Sequence, residues 1–316
     1  MARKKKGEPI HGWICLDKPL EMTSTAAVSK IRWLFQAQKA GHAGTLDPLA
    51  TGILPIALGE ATKTVPYLVE ADKVYQFTIT FGTSTDSVDA EGRIIATSDA
   101  RPAREAVEAL LPRFIGDIEQ VPPAFSAIKV DGRRAYDLAR DGIEVELKPR
   151  RVEVFDLALD DFTGDTATLT LHCGKGTYVR SIARDLCAEL GVCGHVTALR
   201  RDAVGAFSAD NAITLEKLTD LVHRGAALDA LLGVETALDD IPALPVTQDE
   251  AQKLKQGRDL ALLPRQINLI AEAQQARSEA GFLEFPDTVQ AVLKEQVIAL
   301  CELRGGRLYP TRILNL

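Results

Sequence analysis

The sequence predicts a mixed α+β fold, and three observations support this prediction. Residues 75–81 alternate apolar and polar side chains, which is typical of a β-strand with one buried face. From Tyr178 to Leu190, apolar residues instead recur every four positions, which indicates an amphipathic helix that Gly191 ends. Segments of both kinds follow one another along 316 residues, a length that allows two domains.

Further elements are predicted in order along the chain. A helix should begin near Thr25, because Val28, Ile31 and Phe35 recur at helical spacing, and another should cover 106–111. The remaining elements predicted before residue 240 are a strand at 12–17, a short helix at 136–140, and strands at 152–154 and 166–173.

A boundary is predicted between Leu238 and Pro245, where two aspartates and two prolines interrupt the pattern. Beyond it we expect one helical stretch, around residues 250–255. The chain should then end in strands joined at Gly305-Gly306, a dipeptide suited to a two-residue hairpin turn.

The composition is that of a globular protein, with 46% apolar and 26% charged residues. No apolar stretch approaches the roughly 20 residues that cross a bilayer. The basic run at residues 3–6 precedes an apolar stretch at 13–16 that is too short for a signal peptide. We therefore expect a disordered basic arm at the start of the chain and a cytoplasmic location, with no membrane contact.

The five cysteines are odd in number and scattered, which argues against a disulfide framework. A zinc site is the alternative, but the cysteines contain no Cys-x-x-Cys pair. His172 and Cys173 should also point to opposite faces of a strand. Buried or half-buried thiols are the interpretation we prefer, and no metal is predicted.

The net charge of −7 is unfavourable for binding nucleic acid, yet the charge is unevenly distributed. Residues 129–151 hold seven basic and five acidic side chains, and residues 172–201 hold five basic and two acidic ones. A local basic surface on an acidic protein is therefore compatible with the sequence, although each cluster also fits an ordinary solvated face.

Residues 41–52, GHAGTLDPLATG, are the strongest candidate for a catalytic loop. Pro48 disfavours helical backbone at Asp47, and the glycines allow tight turns and close approach of a ligand. An Asp-Pro turn with ordinary glycine punctuation is the alternative interpretation.

This loop, continued by ILPIALGEATK, resembles the catalytic motif of the TruB-type tRNA pseudouridine-55 synthases. Further blocks similar to that family follow in the same order. They lie at 17–24 (DKPLEMTS), 73–87, 120–140, 173–180 (CGKGTYVR) and 199–207.

The resemblance implies a particular architecture. Residues 1–240 would form a pseudouridine synthase catalytic domain, with a mixed, largely antiparallel sheet flanked by helices. An insertion at about 120–151 would grip the RNA. Residues 241–316 would form a small PUA-like β-barrel that binds RNA.

The resemblance also implies the reaction, which is isomerisation of uridine 55 in the tRNA T loop. The bond from uracil N1 to ribose C1′ breaks, and the base is rejoined through C5, so no cofactor is needed. Asp47 would be the catalytic carboxylate, through attack at C6, attack at C1′ or proton abstraction from the sugar. Arg180 would keep it ionised through bidentate pairing.

The target base must be flipped out of the T loop before it can react. By resemblance, Tyr75 stacks on the flipped base and helps proton transfer, and His42 fills the vacated position. Core or surface roles are the alternatives for such residue types. The substrate-binding residues implied in this way are His42, Tyr75, Tyr178, Leu199, Lys18 and Asp86.

The implied partner is the T-arm stem-loop of tRNA, bound by a monomer with no required protein partner. Two alternatives remain at this stage. One is an RNA-guided pseudouridine synthase of the related ribonucleoprotein type. The other is a tRNA-binding or folding-assistance protein without catalysis, which loss of Asp47 would have favoured.

Overall fold

The basic arm predicted at residues 3–6, and Ala127 of the block at 120–140, lie outside the residues that the structure describes. The computed structural model describes residues 7–126, 128–130, 132–143, 145–279 and 284–316.

Strands and helices alternate through most of the described chain. The strands are β1 Gly12–Lys18, β2 Ala40–His42, β3 Ala50–Leu58, β4 Lys73–Phe81, β5 Thr83–Thr85, β6 Ile94–Thr97, β7 Gly116–Gln120, β8 Lys129–Val130, β9 Arg133–Arg134, β10 Arg150–Phe162, β11 Thr166–Cys173, β12 Gly194–Val204, β13 Phe207–Ser208, β14 Ile213–Thr214, β15 Ala243–Pro245, β16 Leu260–Ala261, β17 Thr288–Leu293, β18 Gln296–Arg304 and β19 Arg307–Ile313. The α-helices are α1 Ser24–Leu34, α2 Val65–Glu70, α3 Arg104–Leu110, α4 Ala135–Arg140, α5 Val179–Leu190, α6 Leu215–His223, α7 Gln248–Lys255 and α8 Pro264–Glu279.

The largest sheet formed by the described residues has ten strands. Its main path is β14-β1-β3-β12-β4-β11-β10-β7, with β2 paired to β3 and β13 paired to β12. The β1–β14 and β3–β12 pairs are parallel, and the other pairs are antiparallel. The predicted mixed, largely antiparallel sheet is confirmed.

The register at the centre of this sheet brings distant parts of the chain together. Arg201 on β12 lies opposite Gly52 on β3 and, on the other side, opposite Tyr75 on β4. Leu199, two residues earlier on the same strand, pairs with Ala50. Residues of the predicted site therefore meet where β3, β12 and β4 run side by side.

Separate apolar clusters surround this centre. One packs β4 and β11 against α3 and α5, and a second packs β1 and β3 against α1. Tyr75 and Leu199 contact both clusters. These two residues of the predicted site therefore lie where the two apolar clusters meet.

The C-terminal strands form a curled, half-barrel sheet. Among the described residues it has five strands, in the order β15-β17-β18-β19-β16, and α7 packs on its apolar core. It contacts the rest of the chain directly. Phe285 stacks on Tyr67 with ring centroids 4.4 Å apart, and Lys63 Nζ donates to the Ile313 carbonyl at 2.6 Å.

Most local predictions hold. The helix predicted from Tyr178 is α5, and Gly191 ends it at φ +67°. The turn at Gly305-Gly306 joins β18 to β19, with positive φ at both glycines. The strand predicted at 152–154 is part of β10, which is much longer. Two register shifts break the two-residue alternation along β10, so the pattern revealed only a part of it near its start.

The prediction of one helix beyond the boundary is wrong, because α8 follows α7. The residues of α8 that are buried are Ile270 and Arg277, so the helix carries little of the apolar periodicity on which the prediction relied. Its residues are mostly good helix formers, and Pro264 occupies its first position. Propensity would have found this helix where patterning did not.

Cys15, Cys173, Cys187 and Cys301 are buried, as predicted, and Cys193 is half-buried. Burial raises the pKa of Cys15, Cys187 and Cys301 to about 12. Within the described part of the chain, no helix is long and apolar enough to cross a membrane.

Candidate active site

Asp47 lies in the loop between β2 and β3, and its neighbours in the chain are fixed from both sides. The Ser24 hydroxyl, at the start of α1, donates to the Leu46 carbonyl at 2.9 Å and accepts from the Leu46 amide at 2.8 Å. Lys18 Nζ, at the end of β1, donates to the Pro48 carbonyl at 3.3 Å. The block at 17–24 therefore holds the backbone on either side of Asp47.

Lys18 is fully buried. Besides Pro48, its Nζ donates to the carbonyls of Pro19 and Met22, so all three ammonium donors have acceptors. Burial lowers the pKa of Lys18 to about 8, and the Asp47 carboxylate opposes this shift. The structure places Lys18 beneath the loop, where it supports the backbone.

Two of the three glycines of the loop, Gly44 and Gly52, lie against Arg201 of the neighbouring strand. A Cβ on Gly52 would lie 2.2 Å from the Arg201 carbonyl oxygen, and one on Gly44 would lie 3.2 Å from Arg201 Nη1. Both glycines also have positive φ. We expected these glycines to let a ligand come close to the backbone. At Gly52, it is the neighbouring strand β12 that comes close.

Arg180, near the start of α5, pairs with Asp47. Its Nη2 lies 2.8 Å from Asp47 Oδ2, and its Nη1 lies 3.3 Å from Asp89 Oδ2. The expected partnership is present, but one guanidinium serves two carboxylates, so the pairing with Asp47 is not bidentate. Arg180 is 5% exposed, so it is a buried residue and not a surface arginine of the amphipathic helix α5.

Two backbone carbonyls also hold the Arg180 guanidinium. Its Nη1 donates to the Ser87 carbonyl at 3.0 Å, and its Nη2 donates to the Phe125 carbonyl at 2.8 Å. These bonds fix the guanidinium plane against the loop that carries Asp47.

The Asp47 side chain stays 40% exposed, so the carboxylate is open to a ligand while its partner is not. Burial raises the pKa of Asp47, Arg180 opposes this, and Asp89 adds to it. The acid is therefore a stronger base than an exposed aspartate. Together with Leu199, these three residues line one small cavity.

Tyr75 is half-buried on β4, opposite the buried Arg201 on β12. Burial raises its pKa, so its hydroxyl stays protonated and can donate a proton or a hydrogen bond. Arg201 is 1% exposed, and it donates to the carbonyls of Ile53 at 2.8 Å and Gly44 at 3.2 Å. It thus joins the two arms of the catalytic loop.

His42 ends β2, five residues before Asp47. Burial lowers its pKa, and the Arg201 charge acts in the same direction, so the imidazole is neutral near pH 7. A neutral, half-buried ring suits stacking in place of a nucleobase.

Tyr178 and Asp86 are engaged by other side chains. The Arg150 guanidinium lies 4.8 Å from the centroid of the Tyr178 ring. The Asp86 carboxylate accepts from Arg93, through its amide at 2.9 Å and its Nε at 3.1 Å. The structure brings Asp47, Arg180 and Leu199 around one cavity, whereas Asp86 is held in the β5–β6 turn.

Three residues of the site escaped the sequence analysis: Ser24, Asp89 and Arg201. Ser24 and Arg201 lie inside blocks that resemble the family, but only their contacts reveal a role. Asp89 follows the block at 73–87 by two residues, and nothing local distinguishes it from the other acids. Ser87 touches Arg180 through its carbonyl, a backbone contact that most side chains would preserve.

A carboxylate held by a buried arginine beside a small cavity is typical of an enzyme active site. Residues 32–179 match the family model described as "TruB family pseudouridylate synthase (N terminal domain)". Residues 180–239 match the model described as "tRNA pseudouridylate synthase B C-terminal domain".

Curated relatives agree over the whole chain. A tRNA pseudouridine synthase B of Caulobacter vibrioides is 58% identical over 317 residues, covering 100% of both chains. One of Bradyrhizobium diazoefficiens is 50% identical, covering 100% of this chain and 91% of its own. The chain belongs to the TruB family of pseudouridylate synthases.

Solved structures share the fold. A Cbf5–Nop10–Gar1 complex matches with TM-score 0.71 at 23% identity, over 96% of this chain and 84% of that one. An H/ACA ribonucleoprotein bound to a substrate RNA containing 2′-deoxyuridine matches with TM-score 0.71 at 21% identity, over 100% and 92%.

Proposed function

We propose that this protein converts uridine 55 in the T loop of tRNA to pseudouridine, acting alone. The observation that carries the proposal is the half-exposed Asp47 carboxylate held by the buried Arg180, inside the loop that matches the family. Curated relatives named for tRNA, at up to 58% identity over the full chain, support the substrate class.

The reaction begins when the uridine is flipped into the cleft, at a cost of a few kcal/mol. Asp47, kept ionised by Arg180, acts on the nucleotide as the bond from N1 to C1′ breaks. The base turns, C5 bonds to C1′, the proton on C5 leaves, and N1 takes up a proton in place of its bond to C1′. Uridine and pseudouridine are isomers, so beyond these exchangeable protons the reaction needs no group from outside.

Tyr75 stacks on the flipped base and assists the departure of the C5 proton. His42 fills the vacated place in the T loop, while Leu199 and Tyr178 contact the nucleotide. We place Lys18 as a support of the Pro48 carbonyl, with no exposed surface of its own. Asp86 contacts the RNA in addition to forming its ion pair with Arg93.

The insertion supplies basic contacts for the T arm. Lys129, Arg133, Arg134 and Arg140 line one open groove together with Tyr136, Asp137 and Asp141. The four cations outnumber the two carboxylates, and they suit phosphate contacts while the Tyr136 ring suits stacking. A local positive surface of this kind supports RNA binding by a protein of net charge −7.

We also propose the division into a catalytic domain, 1–240, and an RNA-binding domain, 241–316. The family models end at residue 239, and the strands from Ala243 to Ile313 pair with one another. The monomer and the independence from a protein partner belong to the same proposal.

Release of tritium from C5-labelled uridine in unmodified tRNA tests the function, with the purified protein alone. We expect stoichiometric release from position 55 and none from a tRNA with cytidine there. Release only after a guide RNA is added would favour the ribonucleoprotein type. Binding without release would favour folding assistance.

Truncation after residue 240 tests the domain division. The fragment should still modify a T-arm hairpin, because Asp47, Tyr75, Tyr178 and Arg180 all lie within it. It should melt at a lower temperature, since the partners of Phe285 and Ile313 become exposed. On full-length tRNA the KM should rise. A folded fragment that is inactive on the hairpin would contradict the division.

A further inference from the structure

Helix α5, which carries Arg180, begins without a side-chain cap of its own. Its N-cap residue is Tyr178, whose carbonyl accepts from the amides of Ser181 at 3.1 Å and Ile182 at 3.2 Å. The position of Tyr178 therefore sets where the first turn of the helix lies, and Arg180 belongs to that turn.

Gln120, from the end of β7, holds Tyr178 by both backbone groups. Its Nε2 donates to the Tyr178 carbonyl at 3.2 Å, and its Oε1 accepts from the Tyr178 amide at 2.8 Å. Gln120 is 1% exposed, so neither bond competes with water. A residue 58 positions away in the chain thus fixes the backbone of the N-cap residue.

Arg150, at the start of β10, contacts the aromatic ring of Tyr178. It lies directly opposite Gln120 in the β7–β10 pair. Its guanidinium covers the Tyr178 ring at 4.8 Å and donates to the Gly176 carbonyl. Gln120 and Arg150 are the two ends of the RNA-gripping insertion, and both hold Tyr178.

The insertion touches the same helix twice more, just past Gln120. The Val121 carbonyl accepts from the Ser181 hydroxyl at 2.8 Å and from Arg184 Nη2 at 2.9 Å. The Phe125 carbonyl accepts from Arg180 Nη2, the atom that also pairs with Asp47. The first residues of the insertion are thus bonded directly to the catalytic ion pair.

We propose that Gln120 is a positioning residue that couples the placement of the RNA-gripping insertion to the geometry of Arg180, and through Arg180 to Asp47. This inference rests on the proposed function. The bonds from Gln120, Val121 and Phe125 tie the first turn of α5 to the start of the insertion. The Arg180–Asp47 pair, formed at 2.8 Å in this structure, therefore keeps its geometry only while the start of the insertion stays in place.

Four groups face the Asp47 carboxyl from the elements around it: Arg180 on α5, Asp89 after β5, Lys18 on β1 and the neutral Tyr75 on β4. Arg180 favours the ionised acid, and Asp89 disfavours it. A loosened Arg180 therefore leaves Asp47 with a higher pKa, so the carboxylate is lost at higher pH. The acid side of the pH–rate profile reports this change.

The test compares two variants. Gln120→Met keeps the length of the side chain but makes neither bond to Tyr178. Ser181→Ala removes only the hydrogen bond from the Ser181 hydroxyl to the Val121 carbonyl. Glu119→Gln, an exposed neighbour on β7, is the matched control. Each full-length variant is assayed by single-turnover tritium release at saturating tRNA, by its pH–rate profile, by Kd for the T-arm hairpin and by Tm.

We expect Gln120→Met to slow the single-turnover rate about ten-fold and Ser181→Ala to slow it roughly three-fold. Kd should stay within about two-fold, because phosphate contacts are intact. The acid limb should move to higher pH in both variants and stay in place in Glu119→Gln.

A folded Gln120→Met protein with the wild-type rate overturns the inference. So does a slower rate with an unmoved acid limb, since mere destabilisation lowers activity equally at every pH. If Gln120→Met does not fold, Ser181→Ala decides by the same readouts. An inactive wild-type protein would instead overturn the proposed function.

Discussion

The catalytic loop at 41–52 and the insertion at 120–151 are built in opposite ways. The loop is held from beneath by Ser24, Lys18 and Arg201, whose side chains are buried. The tip of the insertion has a two-residue strand pair, β8–β9, and the exposed ion pair of Arg133 with Asp141 at 2.6 Å.

The difference follows from what each region must do. A carboxylate that acts on a bond must be placed before the substrate arrives, so its backbone is bonded to buried groups that leave it little freedom. A surface that grips RNA must adapt to its partner, and exposed ion pairs contribute little stability and open readily. The predictions below test this contrast, from the largest expected effect to the smallest.

Asp47→Asn should abolish pseudouridine formation, because it removes the charge and the nucleophile but nearly preserves the shape. Binding of tRNA should stay within a few-fold. Tritium release and filter binding measure the two effects, with the exposed Asp99→Asn as control. Activity above about a tenth of wild type would remove Asp47 from its proposed role.

Tyr75→Leu should lose both affinity and rate, since stacking on an aromatic ring is worth about 1–3 kcal/mol per base. Tyr75→Phe keeps the stacking surface, so it should bind RNA and flip the base but turn over slowly. Fluorescence of a 2-aminopurine neighbour reports flipping, and tritium release reports turnover. A leucine variant with normal affinity and rate contradicts the assignment.

Ser24→Ala should lower kcat about ten-fold with little change in KM, because both backbone groups of Leu46 lose a buried partner. Ser29→Ala, an exposed serine on the same helix, should behave as wild type. Steady-state kinetics and thermal melting separate a displaced loop from an unfolded protein. An unchanged kcat would show that the loop is held by other contacts.

Neutralising Arg133, Arg134 and Arg140 should make the affinity for RNA less dependent on salt. The slope of log K against log salt concentration should become less negative by roughly 0.7–0.9 for each phosphate contact that is lost. The rate at saturating RNA should change least, because these side chains lie away from Asp47. Arg101, Arg104 and Arg113, neutralised together, are the control. An equal slope in both triple variants would place the RNA elsewhere on the surface.

Local patterns in the sequence were enough for several of the longer elements. The alternation at 75–81 and the four-residue spacing in α5 hold because each reflects one buried face. The Asp47 loop was singled out by its resemblance to a family motif, since its glycines and Pro48 alone also fit an ordinary Asp-Pro turn. Where periodicity failed, as in β10 and α8, bulges or a sparse buried face had removed it.

The sequence by itself therefore determined several strands and helices, since these depend on neighbours in the chain, and its resemblance to a family named Asp47 as the candidate acid. Tertiary structure alone decided that Arg180 serves two carboxylates, that Ser24 and Arg201 hold the loop at 41–52, and that Gln120 holds the first residue of a helix from another strand. Such contacts join residues tens to more than a hundred positions apart. They exist only after the sheet register has brought buried polar groups together, away from water, where each must find a partner.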